Sequence, residues 1–235
     1  MGRLTSQQEL MRSAAELITQ MQRSEHTSLL SMLLEGESGS GKTAIAATLA
    51  LQSNLPFVKL ISPNSLVGVS EVGKASLIAK VFDDALKSPL SLVVIDEIER
   101  LLEYVRIGPR FSNLVRRVLQ TLLTCLKRRP KSGKLIILAT SSSVSVLEQL
   151  EMLDAFNVSY HVPTLSFPEA ITVLKALGAQ NIAQVEPCLQ AVGKGMPIKK
   201  LVLVAEMSMD ENRQIDPSRF VTTMQSAGLD SIPIR

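Results

Sequence analysis

Residues 36 to 43 read Gly-Glu-Ser-Gly-Ser-Gly-Lys-Thr, which fits the pattern G-x-x-x-x-G-K-[ST]. Glycines at 36, 39 and 41 let the backbone curl, so that successive N–H groups, Ser40 among them, converge on the phosphates of a nucleotide. Lys42 adds a point charge for the β- and γ-phosphates, and the Thr43 hydroxyl is a ligand for magnesium. An apolar run precedes the loop and a helical pattern follows it, so the positive end of a helix dipole faces the same phosphates. The chemistry implied is binding of ATP with Mg2+.

A second constellation is Leu-Ser-Leu-Val-Val-Ile-Asp-Glu, residues 90 to 97. An apolar strand that ends in two acids delivers them to the carboxyl edge of a parallel sheet, where the glycine-rich loop also lies. Asp96 would hold the magnesium through water. Glu97 would polarise an attacking water as a general base. The run Lys134 to Thr140 ends in three hydroxyls, Thr140, Ser141 and Ser142. A hydroxyl there either orients the water or the γ-phosphate, or caps the following helix. Thr140 is the first choice because it closes the apolar run. Lys199 and Lys200 open a helix directly after Pro197; they read either as cations reaching over the cleft or as a solvated pair. His26 and His161 have no cysteine neighbours, so nothing zinc-like is spelled out. No Gly-x-Ser-x-Gly or Cys/His arrangement points to nucleophilic catalysis.

These residues need a scaffold, and the hydrophobic pattern supplies one. Runs at 28–35, 57–61, 90–96, 134–140 and 158–162 read as strands, with little polar alternation, as strands buried on both faces do. Helical patterns lie between them at 42–53, 72–87, 112–128 and 143–155, and another covers 7–23. The alternation predicts an α/β fold, a parallel sheet sandwiched by helices. From 167 to 226 the strands vanish and helices follow one another. Pro168, Pro197 and Pro217 fall at helix starts and Gly178, Gly193 and Gly228 near helix ends. A boundary is therefore expected near residue 164, with an α/β unit over 1–164 and a small helical lid over 165–235.

Composition narrows the function classes. The chain has 235 residues, 46% of them hydrophobic, yet no apolar run reaches the ~18 residues of a membrane span. The first residues hold no apolar signal core, although Gly2 and Ser6 match a loose acylation pattern. Cys125 and Cys188 sit in helical patterns and read as reduced, apolar-like thiols. Net charge is +3, but between Arg100 and Lys134 ten Lys/Arg face one acid, Glu103. That segment would suit a DNA-associated ATPase. Against this, aromatics are 3% of residues and tryptophan is absent, so no stacking platform for single strands exists. A small-molecule kinase would need neither the Asp-Glu pair nor so long a helical lid.

Together the phosphate loop, the Asp-Glu strand, the hydroxyl-bearing strand and the lid with its entering lysine resemble an AAA+ ATPase module. Within that superfamily the segments SGKTAIAATLA, SNLPFVKLISPNSLVG, VFDDALKSPLSLVVIDEIERLLEYVRIGPRFSN, VLEQLEMLDAF and IKKLVLVAEMS are similar to the second ATPase domain of the vesicle-fusing ATPases. The resemblance covers residues 5 to 228, with Ile107–Asn113 and the IKKL helix start its distinctive parts. It implies a cytoplasmic homo-hexamer, peripheral on Golgi or vesicle membranes, that uses SNAP adaptors to disassemble SNARE complexes. The adaptors and substrates would be engaged through other domains, and no nucleic acid is implied as partner. In that family the first ring does most of the hydrolysis, and the second binds ATP and holds the hexamer together. By the same resemblance Lys199 aligns with a lid lysine near the γ-phosphate. Lys134 aligns with a lysine that reaches the γ-phosphate of the neighbouring subunit, which would make it catalytic in trans.

Two departures bear on rate. Active rings of this kind carry arginine fingers after the hydroxyl-bearing strand, worth about 10³-fold or more in phosphoryl transfer, yet no arginine lies between Arg129 and Arg213. Lysine at 134 lacks the bidentate fork of arginine. The loop Leu66-Val67-Gly68 also lacks the aromatic that grips polypeptide in translocating rings. The expectation is an ATPase module that binds ATP and hydrolyses it slowly.

Overall fold

The computed structural model describes residues 6–102, 113–192 and 195–229. Residues 107–112 of the distinctive Ile107–Asn113 segment, Gly2, Gly193 and the side chain of Arg116 lie outside what is described.

Five parallel strands form one sheet in the order β2-β3-β4-β1-β5. They are β1 (Leu29–Glu35), β2 (Phe57–Ile61), β3 (Leu90–Ile95), β4 (Lys134–Ser141) and β5 (Val158–His161). The alternation of side chains along a strand divides the apolar runs between two faces. Leu33, Val93, Ile95 and Ile137 face one side, packed with Phe82 of α3 (Glu71–Ala85) and Leu122 of α5 (Asn113–Lys127). Met32, Leu34, Leu92, Val94, Ile136 and Leu138 face the other, against Ile18 of α1 (Ser6–Arg23) and Leu49 of α2 (Lys42–Gln52).

Burial on both faces holds for β1, β3 and β4 but not at the sheet edges. In β2, Val58 and Leu60 are exposed, and β5 alternates half-buried and exposed residues. An edge strand has a neighbour on one side only; β2 still turns Phe57 and Ile61 into the core shared with α3, while Val58 and Leu60 stay open. The helix expected over 143–155 is also shorter. α6 (Val144–Gln149) stops, Glu151 takes a left-handed φ of 53°, and a separate 3-10 turn covers Leu153–Ala155.

A third apolar cluster consists wholly of residues from Leu165 onward, around Leu174, Leu201 and Phe220. It joins α7 (Phe167–Ala176), α8 (Glu186–Ala191), α9 (Ile198–Ser208) and α10 (Pro217–Ser226). The starts of these helices follow from the sequence. α7 carries a capping box in which Ser166 and Glu169 bond reciprocally, with Pro168 in the first turn. At α10 the Asp216 carboxylate accepts from the N–H groups of Ser218 and Arg219. Among the described residues no helix is long and apolar enough to cross a membrane.

Candidate functional site: a phosphate-binding cleft

The topology fixes where the site must be. The crossover from β1 leads away to the edge strand β2, whereas the connection from β4 passes β1 to reach β5. The connections that leave the carboxyl ends of β1 and β4 therefore run in opposite directions, which opens a crevice at a topological switch point. Register sharpens this: Glu35 pairs with Ser141, Leu34 with Thr140 and Ile95 with Ala139. Gly36, Asp96 and Thr140 thus leave the sheet side by side.

The cleft there has a volume of about 620 Å3 and is lined by Gly39, Gly41, Lys42, Thr43, Asp96, Glu97, Thr140 and Lys199, with Arg100, Ser142, Ile198 and others. α2 begins at Lys42 after Gly41 in a left-handed conformation (φ 100°), with no side chain capping it. Its first N–H groups are left for an anion, as a phosphate site requires. Gly36 does not line the cleft but shapes the loop. A Cβ there would lie 2.4 Å from the Val162 carbonyl oxygen, at a φ of 150°. Ser40 likewise points inward: its side chain is fully buried and its Oγ has no partner among the described residues.

Lys42 is buried, and its Nζ donates to the carbonyl oxygens of Gly36 (2.9 Å) and Glu37 (2.8 Å). Burial lowers its pKa below the ordinary 10.5, while Glu99, Asp96 and Glu97, in that order, work against the fall. The lysine thus braces the loop and brings a positive charge to the cleft wall. Thr43 Oγ1 donates to Asp96 Oδ1 at 2.9 Å. Two hard oxygen donors on one edge suit Mg2+, which is bound through one or two protein oxygens with phosphate and water filling the rest. Among the described residues no three His, Cys, Asp or Glu gather into a metal cluster, so these donors fit a nucleotide-borne ion rather than a protein cage. When bound, Mg2+ neutralises charge on the β- and γ-oxygens.

Thr140 makes two bonds at the back of the cleft. Its side chain is fully buried; Oγ1 donates to Asp96 Oδ1 (2.7 Å) and accepts from the Glu97 N–H (2.9 Å). It positions the acid pair, and it does not cap α6. Glu97 needs that support, because its backbone is left-handed (φ 48°, ψ 56°) without being glycine. Thr140→Val keeps the shape but strands the Glu97 N–H. It is expected to cost about 1–3 kcal/mol, read as a lower melting temperature that Thr140→Ser restores.

The lid meets the loop directly. The Lys199 N–H donates to the Gly39 carbonyl (3.1 Å), and a Cβ on Gly39 would touch the Cβ atoms of Lys199 and Pro197 at 3.4 Å. That places Lys199 in the cleft wall. Ile198 and Val202 stand one turn apart beside it and make the wall's apolar part.

Lys134 is not part of this chain's cleft. It opens β4, so it lies at the opposite edge of the sheet from Thr140, roughly 20 Å away at the rise of a strand. Its Nζ donates to the Gln22 carbonyl (2.7 Å) near the end of α1. Reach toward a neighbouring subunit's phosphate is a property of an assembly and rests on the resemblance alone.

Several participants were missed. Gln7 donates through Nε2 to the carbonyls of Ser40 and Pro163, both at 2.9 Å, tying α1 to the loop and to the strand-to-lid connection. Glu99 Oε1 accepts from the Ser142 N–H (2.8 Å), fixing the end of β4 to α4 (Ile98–Leu101). Arg100 Nη1 donates to Glu97 Oε2 at 2.6 Å. Of these only the Glu97–Arg100 spacing, three residues on a helix, was visible in the sequence.

The family model for the "ATPase family associated with various cellular activities", AAA, matches residues 32–164, more than half of the chain. The chain belongs to the AAA family. The matched region contains every cleft residue named above except those of α1 and of the lid. Among AAA relatives, a vesicle-fusing ATPase of Arabidopsis thaliana is 45% identical over 193 residues, covering 82% of this chain and 26% of the relative. One from Dictyostelium discoideum is 42% identical over 205 residues, 86% of this chain and 27% of the relative. The chain thus spans about a quarter of the length of the curated relatives it matches. A solved structure of the Aeropyrum pernix ORC2 protein superposes with a TM-score of 0.69, covering 98% of this chain and 70% of that one. At 15% identity it shows the AAA fold alone.

Proposed function

We propose that this chain is the ATP-binding, hexamer-forming ring module of a vesicle-fusing ATPase, and that it hydrolyses ATP slowly. The observation that carries the reading is the closed set of Lys42, Thr43, Asp96 and Lys199 around one cleft, in a chain 45% identical to a vesicle-fusing ATPase. In this reading Lys42, Lys199 and the N–H groups at the start of α2 hold the triphosphate. Thr43 and Asp96 hold Mg2+, and Glu97 takes the proton of the attacking water. Slow turnover follows from the absence of arginine between 129 and 213. SNARE complexes and SNAP adaptors are the partners of the whole protein, engaged outside this chain, at the cytoplasmic face of vesicle membranes.

The basic segment does not favour a nucleic-acid surface. Arg100 lies in the cleft wall, Arg128 pairs with Asp83 at 2.6 Å, and Lys134 is tied to α1. These three cations therefore serve separate parts of the fold.

Sedimentation of the chain with and without ATP and Mg2+, with phosphate release measured in parallel, tests the reading. ATP-dependent hexamers with slow turnover are expected. A monomer that turns ATP over rapidly would overturn the assembly role.

A further inference from the structure

The carboxylate placed to activate water is already engaged. Glu97 Oε2 accepts from Arg100 Nη1 at 2.6 Å, and both residues line the cleft that holds Lys42, Asp96 and Lys199. The pair is local: three residues apart, at the start of α4, where side chains of that spacing meet. Thr140 fixes the Glu97 backbone from behind through the Glu97 N–H. The side chain is therefore restrained at both ends.

In hydrolysis the water oxygen bonds to the γ-phosphorus as the bond to the bridging oxygen breaks, and ADP carries that oxygen away. The water proton passes to a Glu97 carboxylate oxygen. An oxygen held on a guanidinium by a charge-assisted bond must leave that bond before it can turn to the water. From this geometry we infer that Arg100 is a positioning residue that restrains the Glu97 carboxylate and so slows ATP hydrolysis. The inference rests on Glu97 being the base, and it adds a cause of slow turnover that lies within the chain itself, apart from the missing arginines.

The strength of the restraint has a ceiling. With side chains 61% and 36% exposed, the pair is a surface ion pair, and such pairs are weak enough that releasing one changes a rate about two- to fivefold. Arg100→Ala is therefore expected to raise kcat for ATP by about that factor with KM unchanged. Arg100→Lys, which keeps a point charge three residues from Glu97, should stay near the wild-type rate. At about 1 M salt, where screening acts within roughly 3 Å, the difference between wild type and Arg100→Ala should shrink.

Phosphate release by the full chain at saturating ATP, for wild type, Arg100→Ala, Arg100→Lys, Glu97→Gln and the Arg100→Ala/Glu97→Gln double variant, decides it. Melting curves and sedimentation verify equal folding and assembly. The double variant is expected to be no faster than Glu97→Gln alone. An unchanged or lower kcat in Arg100→Ala overturns the inference, as does a raised KM, which would make Arg100 a phosphate ligand. Acceleration that persists in the double variant also overturns it. If Glu97→Gln itself turns over at the wild-type rate, the assignment of Glu97 as base fails, whatever Arg100 does.

Discussion

Glu97→Gln is expected to reduce ATP turnover at saturating nucleotide by about 10²- to 10⁴-fold, the range of a lost general base, with ATP affinity nearly unchanged. Three features make the substitution clean. Glutamine matches glutamate in shape and still offers an oxygen to Arg100. The bond that holds the backbone here runs from the Glu97 N–H to Thr140 Oγ1 and does not involve the side chain. The proposed magnesium donors, Thr43 Oγ1 and Asp96, meet each other at 2.9 Å without it. What the variant loses is the capacity to take a proton, a loss felt in the transition state and not in the ground state. Single-turnover phosphate release and equilibrium binding of ATP separate the two. A variant that binds ATP poorly would show that Glu97 holds the nucleotide. One that binds and hydrolyses like wild type would place water activation elsewhere.

How much of this was legible in the sequence depended on whether the cause was local. β1, β3 and β4 announce themselves because parallel central strands are apolar on both faces, and Leu33 and Leu34 point to opposite cores from adjacent positions. β2 carries much the same composition, yet Val58 and Leu60 stand exposed. Strand order decides that, and one run of residues does not encode its own neighbours. The break in α6 depends on one left-handed residue, Glu151, which no glycine or proline marks.

The same contrast runs through the site. Gly36 to Thr43 and the Asp96–Glu97 pair were readable because loop, strand end and helix start are contiguous in the chain. Thr140 was found by its place at a strand end, but its bonding partners were not legible there. It lies fully buried between two bonding partners, and partners 43 or 44 residues away are not visible from a strand pattern. Gln7, bonded across 156 residues to Pro163, left no local signal at all. Lys134 is the instructive case. The rule that delivers Asp96 to the carboxyl edge puts the first residue of β4 at the other edge. The role that the resemblance implies for Lys134 lies at a neighbouring subunit, and a strand pattern within one chain carries no sign of it.

Lys42→Ala is expected to weaken ATP binding on the order of 10²-fold or more, since it removes a buried cation whose bonds to phosphate are charge-assisted. If ATP is what holds subunits together, hexamers should then fail to form at ATP concentrations that assemble the wild type. Hexamers that persist in a variant shown not to bind ATP would contradict that. Because Lys42 Nζ also braces the Gly36 and Glu37 carbonyls, Lys42→Met serves beside it, keeping the apolar stem without the charge. A pH dependence distinguishes charge from shape. Burial lowers the Lys42 pKa below 10.5, so the cation is lost at a lower pH than from a free lysine. ATP affinity should fall as pH rises through that depressed value, and Lys42→Met should be flat over the same range. Stability without nucleotide runs the other way. Between the depressed folded value and 10.5 the unfolded chain binds more protons than the folded one, so the folded state gains stability as pH rises. Affinity and stability moving in opposite directions over one pH window, both abolished by Lys42→Met, would identify a single buried ammonium as their common cause.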